Sequence, residues 1–421
     1  MAQTSRTGTG GRPVEMANSP GPAAVPGRIG LQRSISVFEL DAHPSRPDSE
    51  SPEQVLRRAL EVLKEADRSE PALSTKASVS TLADGPTWQL LQACLSLTQL
   101  AEKAPTQLYL QAKHVLDAIW PAVRSPVAEV RVAAARAVRG CLSVVGQRES
   151  HLHVRWYQSC VEGVTAGLGE KRDESAHGSL LVLSELIDVS GCLVTGFEAG
   201  AQAFEAYKDS RSRLVRASLI ALLPRLTAAV PPGMATRWPQ QAVAHLLASL
   251  SAGPELRAAA FVALGQMAAA VGPGPRFAEH VAAVVQACHE ALQATPPSKR
   301  DARATSKGAP CTAEALECLG ALARARAPRL EAHLADHGLL GSLFTPGLSP
   351  VLAATLTALA EHIPALLPQL QRRLLEVRRR FRRRPATHAR ARPPASSSSV
   401  AQSLLALALN APPRPRWSVT S

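Results

Sequence analysis

The stretch VRVAAARAVRGCL at residues 130–142 reads as one helix with an apolar stripe: Val130, Ala134 and Val138 recur at helical spacing, and Arg131 sits at the edge of the stripe. The arrangement returns as Val215-Arg216 with Leu219 and Leu223, and again as Leu256-Arg257 with Ala260 and Leu264. The three arginines stand 85 and 41 residues apart, and the larger interval is close to two periods of about 42, within the range of HEAT and armadillo arrays. The expected fold is all-α: a HEAT-type α-solenoid, an armadillo-like stack of helix pairs. A pair of this kind cannot bury its apolar face alone, so successive pairs share one long core.

Composition agrees. The chain is 46% hydrophobic but only 4% aromatic, so its core is built from Ala, Leu and Val, small helix formers that let helices approach closely. No strand-like alternation competes. The repeat reading places the solenoid at 51–380, between a Gly/Pro/Ser-rich N-terminal tail at 1–50, expected to be disordered, and a basic Pro/Ser-rich tail at 381–421 carrying a short helix at 401–410. Within the first tail, Arg33-Ser34-Ile35-Ser36 has the form of a basophilic kinase site.

The first helix is announced by Ser51-Pro52-Glu53-Gln54, an N-cap serine, a proline at the first helical position and a glutamine that completes a capping box. Val55, Ala59, Val62 and Leu63 form its face. After Gly85-Pro86, one helix is lined by Trp88, Leu91, Leu95 and Leu100, and its antiparallel partner by Leu108, Val115, Leu116 and Ile119. Further helices are expected at 156–168, 173–189, 199–207, 239–250, 278–292, 313–325, 330–340 and 351–380, with Pro224, Pro364 and Pro368 kinking or ending theirs. The stretch 296–310, with Lys299, Arg300, Arg303 and Lys307, reads as a longer basic loop.

HEAT repeats often place an aspartate six residues before the repeat arginine, where it can pair with the arginine of a neighbour. Here Ser125, Ser210 and Ser251 occupy that position. Serine can cap but cannot pair, so Arg131, Arg216 and Arg257 are expected to be structural and their charge ladder weak. Apolar burial, about 1.5 to 3 kcal/mol per fully buried Leu or Val, must then supply most of the stability between repeats.

The net charge of +13 is local. Between residues 371 and 392 ten arginines face the single acid Glu376, which accounts for +9 of it and leaves the repeats nearly neutral. Arg378, Arg379, Arg380, Arg382, Arg383 and Arg384 form a candidate patch for an anionic partner such as nucleic acid or anionic lipid, against the plainer reading of a solvated basic tail.

Nothing in the sequence assembles into a catalytic site. It holds no GxxxxGK[ST], GxSxG or HExxH motif and no kinase DFG or HRD, so no catalysis and no cofactor is expected within this chain. His151, His153, Cys160 and His177 have the residue types of a zinc site without paired cysteines, and no metal is expected. Cys288 and His289 are adjacent on a helix and point about 100° apart, which disfavours a nucleophile–base pair. Seven cysteines without a CxxC fit a reducing compartment. The longest apolar run, 258–272, is too short to span a bilayer, and the start of the chain lacks the apolar core of a signal peptide. A soluble intracellular protein is the expectation.

Six stretches then carry a specific likeness. VRVAAARAVRGCL at 130–142 is followed by RWYQSCVEG at 155–163, DESAHGSLLVLSEL at 173–186, LIALLPRL at 219–226, ELRAAAFVALGQMAAAV at 255–271 and GLSPVLAATLTALAEHIPAL at 347–366. Together and in this order they resemble the N-terminal HEAT region of the target of rapamycin (TOR) serine/threonine kinases, members of the PI3K-related kinase family. The likeness spans about 53–376. It departs from the family in a shortened start, in a variable insertion cut to a few residues around 191–200, and in ending before the FAT, FRB and kinase domains.

The resemblance implies a non-catalytic scaffold arm that docks Raptor-like or Rictor-like subunits, and a second TOR protomer, in a cytoplasmic complex with endomembrane association. Two other readings stay open: an incomplete gene model of a full TOR kinase, and an unrelated HEAT adaptor whose arginine tail takes an anionic partner.

Overall fold

The computed structural model describes residues 51–73, 85–148, 150–190, 194–272, 275–294, 311–336, 338–345 and 349–383. The tail expected at 1–50, the helix at 401–410, the basic loop at 296–310 and the Arg33–Ser36 motif lie outside these residues, as does the tail expected at 381–421 except for its first three residues, which are helical. Among the described residues every regular element is helical.

The chain opens with α1 (Pro52–Leu73), α2 (Pro86–Lys103), α3 (Pro105–Ala118) and the single turn α4 (Trp120–Val123). Next come α5 (Ala128–Arg148), α6 (Ser150–Gly169), α7 (Asp173–Ser190), α8 (Val194–Tyr207), α9 (Arg213–Ala228) and α10 (Arg237–Ser249). The last group is α11 (Pro254–Val271), α12 (Pro275–Gln293), α13 (Thr312–Arg324), α14 (Leu330–Asp336), α15 (Leu339–Ser342), α16 (Pro350–His362) and α17 (Leu367–Arg383). Most of the expected helices are present, with boundaries shifted by a few residues.

Two layers result. In one, α2, α5, α7, α9, α11, α13 and α16 pack each against the next; α3, α6, α8, α10, α12 and α14 flank them. This is the solenoid that the recurring pattern implied: all three arginine-bearing helices, α5, α9 and α11, belong to the continuous layer. One apolar seam runs through it, including Cys94 and Leu97, Ala134 and Val138, Leu180 and Leu183, Leu219 and Leu223, Ala260 and Leu264, Leu319 and Leu322, and Leu356 and Leu359, all essentially buried. Each helix shows its neighbours a stripe of Ala, Leu or Val that water can reach only when the stack opens.

Local rules hold at α1. Ser51 N donates to Gln54 Oε1 at 3.0 Å and Gln54 N donates to Ser51 Oγ at 3.3 Å, the reciprocal capping box. Other expectations need correction. The most buried face of α2 is Leu90, Ala93, Cys94, Leu97 and Leu100, rotated from the expected Trp88, Leu91 and Leu95, because α2 lies against both α1 and α5. The helix expected at 330–340 is two, α14 and α15, with Gly338 at φ +61 capping the second. The helix expected at 351–380 breaks at Ile363, where Pro364 starts a 3-10 turn, Pro364–Leu366, ahead of α17. Pro364 behaves as proline should, whereas Pro224 sits inside α9 without ending it.

Among the described residues no single helix is long and apolar enough to cross a membrane. The pair Pro350–His362 and Pro364–Val377 meets length and composition only when joined across a bend of 114°, and Leu352, Leu356 and Leu359 of its first half are buried in the core.

Candidate functional site

Several polar side chains of the described residues meet across neighbouring repeats. Arg131, only 2% exposed, reaches back over the turn before its own helix: its Nη1 donates to Ser125 O at 2.6 Å and to Pro126 O at 3.0 Å. Its Nε donates to His177 Nδ1 of α7 at 2.9 Å, which leaves the imidazole proton on Nε2. Burial and the adjacent guanidinium hold the His177 pKa down to about 4, so the ring is a neutral acceptor. Burial lowers the Arg131 pKa while Glu174 and Glu129 pull it back up.

The next residue explains how His177 comes so near. A Cβ on Gly178 would run into the backbone carbonyl oxygen of Val123; only glycine lets α7 approach the α4 turn this closely.

Arg257 repeats the back-reaching grip, donating from Nε to Leu250 O at 2.8 Å and from Nη2 to Ala252 O at 3.4 Å. Arg216 does not: its Nε is buried without a hydrogen-bond partner among the described residues. Its charge, after burial, lowers the pKa of His245, whose ring stands edge-on to Phe204 with centroids 5.2 Å apart. Ser125 and Ser210 accept from the amides two residues on, Val127 N at 3.3 Å and Ser212 N at 3.2 Å, so these serines shape the turns.

A charge ladder exists nonetheless, one helix face away from where repeat logic placed it. Arg139 of α5 pairs with Glu185 at 3.0 Å and Asp188 at 3.5 Å, both on α7. Asp188 meets Arg225 of α9 at 3.1 Å, and Arg225 Nη1 also donates to Ser184 O at 2.9 Å. One carboxylate thus bridges arginines from the repeats on either side. A second tie, Arg124 to Glu170 at 3.1 Å, joins two inter-helix turns, with Glu170 also accepting from Ser175 Oγ at 2.7 Å. Arg139, Glu185, Asp188 and Arg225 were missed from sequence. Their signal was present, since Glu185 follows Arg139 by 46 residues and Arg225 follows Asp188 by 37, each about one repeat; only the register of the helix faces was lacking.

The residues weighed for chemistry do not assemble. Cys160 is buried, its pKa pushed up to about 12 by burial and Asp117, and His177 is committed to Arg131; the side chains of His151 and His153 lie outside the described residues. No group of three His, Cys, Asp or Glu among the described residues could hold a metal ion. Cys288 faces Cys318 in the core, where burial raises its pKa well above the ordinary range, while His289 Nδ1 lies 2.9 Å from Ser342 Oγ. The two neighbours therefore serve different contacts. The six described cysteines are buried and form no disulfide among the described residues, and Cys192 lies outside the described residues.

Of the arginine patch, Arg379 is exposed on α17. Arg378, Arg380, Arg382 and Arg383 belong to the helix backbone, their side chains lying outside the described set, as does all of Arg384. The outer surface also opens between α3 and α6, in a cleft lined by Lys113, Asp117, Trp120, Arg155 and Trp156.

No family model matches the chain. It is similar to the serine/threonine-protein kinase TOR of Oryza sativa subsp. japonica, 34% identical over 284 residues, covering 67% of this chain and 11% of that protein. The TOR kinase of Arabidopsis thaliana is 34% identical over 291 residues, 68% of this chain and 11% of that protein. The tor1 kinase of Schizosaccharomyces pombe is 28% identical over 288 residues, 68% and 12%.

The solenoid is homologous to the HEAT region of TOR kinases. The chain spans only 11 to 12% of the length of these TOR relatives. Among solved structures it is similar to a designed armadillo repeat protein, with a TM-score of 0.34 and 16% identity over 63% of this chain and 99% of that one. An engineered protein gives a TM-score of 0.36 and 15% identity over 86% of this chain and 96% of that one.

Proposed function

We propose that this chain is a non-catalytic scaffold, equivalent to the N-terminal arm of a TOR kinase, that docks regulatory subunits of the Raptor or Rictor type in a TOR-type growth-signalling complex. The observation that carries the reading is the homology of a continuous helical stack to TOR kinases over two thirds of the chain, in which the buried polar groups are spent on holding repeats together. Function on such a scaffold belongs to its extended surfaces and loops. A cytoplasmic location, endomembrane association and pairing with a second TOR protomer belong to the same proposal.

Co-purification of the tagged full chain with a Raptor-like or Rictor-like subunit, from cells that express both, tests it. Retention of either subunit through gel filtration is expected. A monodisperse chain that retains neither overturns the scaffold reading.

The small share of the relatives that the chain spans favours a second reading, in which these repeats belong to a longer TOR kinase whose phosphoryl-transfer domain is encoded elsewhere. Transcript sequencing past Ser421 separates the two.

A further inference from the structure

We propose that α17 is a docking edge for an anionic membrane surface. Its sequence, LPQLQRRLLEVRRRFRR, holds seven arginines against Glu376 alone, whereas the repeats before it are nearly neutral. Its apolar face is already used: Leu370 is 2% exposed, Leu374 packs against the core, and the helix lies on α15 and α16. What remains outward is Arg372, Arg373 and Arg379, all exposed, around Leu375, which is 46% exposed. Arg373 spends part of its charge on Glu376 at 3.0 Å. Arg372 and Arg379 stand three residues before and four after Leu375, so all three share one side of the helix.

That combination selects the partner. A row of guanidiniums attracts any polyanion, but nucleic-acid recognition adds aromatic side chains for base stacking, and α17 offers only Phe381. A groove on a protein partner would need the apolar face that the solenoid already covers. An exposed leucine flanked by arginines suits an anionic lipid surface, where the guanidiniums sit among headgroup phosphates and the leucine enters the acyl boundary. The contact is peripheral, reversible and independent of which protein partners the scaffold takes.

The test is co-sedimentation of the full chain with phosphatidylcholine vesicles prepared with and without phosphatidylserine, beside a poly(U) binding assay. Binding is expected only with phosphatidylserine and should weaken as salt rises. Arg372→Glu with Arg379→Glu should lower it severalfold for each charge. Leu375→Ser, which removes the apolar side chain without adding charge, should lower vesicle binding and leave any poly(U) binding in place. Both variants alter exposed side chains, and unchanged circular dichroism confirms that they fold. Equal binding to neutral vesicles, no vesicle binding, or vesicle binding indifferent to Leu375→Ser overturns the proposal; poly(U) binding that outcompetes the vesicles assigns the edge to nucleic acid instead.

Discussion

The stack is cemented in two ways. From α5 to α9 the repeats are joined by charge and polar contact: Arg139, Glu185, Asp188 and Arg225 form a ladder, and Arg131 meets His177 beneath it. From α11 to α16 the same layer is joined by close approach of small residues. A Cβ on Gly265 would come within 2.9 Å of the Ala321 Cβ, one on Gly320 would sit 3.5 Å from Thr355 Cα, and Thr355 Oγ1 crosses to Leu316 O at 2.9 Å. Both ends bury the same kind of aliphatic seam. What differs is how register is fixed on it: charged pairs beside tightly packed glycines such as Gly178 in the first part, close packing and a neutral hydrogen bond in the second. The first part should therefore respond to pH and salt, and the second should not.

The sharpest way to break the contrast is to make the first part suffer steric strain. In Gly178→Ala the new methyl meets a backbone carbonyl, which cannot move aside without displacing the α4 turn. A loss of about 3 kcal/mol is expected by urea denaturation, at the upper end of overpacking costs. Gly265→Ala is the control in the second part. Its methyl presses on another methyl, and part of the strain is offset by the roughly 1 kcal/mol gained in helix propensity, so its net loss should be clearly smaller. Equal losses would mean that the α7 approach is no tighter than the rest.

Second in size is a pH effect confined to the first part. The folded pKa of His177 lies near 4, below its ordinary value of 6.5. A histidine held neutral costs nothing while the unfolded chain is also neutral, so its full stability is present above pH 6.5. As pH falls below 6.5 the unfolded chain takes up the proton and the folded chain does not. Stability therefore drops between pH 6.5 and 4, by up to about 3 kcal/mol. Hydrogen exchange across that window should show α5 and α7 losing protection before α13 and α16, and His177→Asn should flatten the slope. A slope that survives His177→Asn would place its origin elsewhere.

These two sites show how much the sequence could tell. The repeat itself was legible because Val130, Val215 and Leu256, each followed by arginine, report a helix period and a repeat period at once. The sequence offers His177 only by residue type; neither its partner Arg131 nor the contact of Gly178 with Val123, which the fold brings from the preceding repeat, can be read from it. The ladder was hidden for a related reason. Charge pairs one repeat apart are visible as spacings, yet whether they share a face depends on how each helix is rotated in the layer. That rotation is set by packing on both sides, as the shifted face of α2 also shows. The breaks at Gly338 and Ile363 fell where apolar periodicity continues through a change of direction, so periodicity alone bridged them.

The smallest expected effect is the most diagnostic of the comparison. Asp188→Ala removes the carboxylate shared by Arg139 and Arg225, but both arginines keep a partner, Glu185 for one and Ser184 O for the other. The side chains involved are between 19% and 33% exposed, so solvent screens part of the attraction, and about 0.5 to 1 kcal/mol is expected at low ionic strength. Because the attraction is Coulombic, the difference between wild type and variant should shrink as salt rises. Thr355→Val, which removes a neutral hydrogen bond in the second part, should cost about 1 kcal/mol at every salt concentration. Denaturation of both variants across a salt series separates the mechanisms: if the cost of Asp188→Ala is as insensitive to salt as that of Thr355→Val, the ladder is packing rather than charge, and the two parts of the stack are held in the same way.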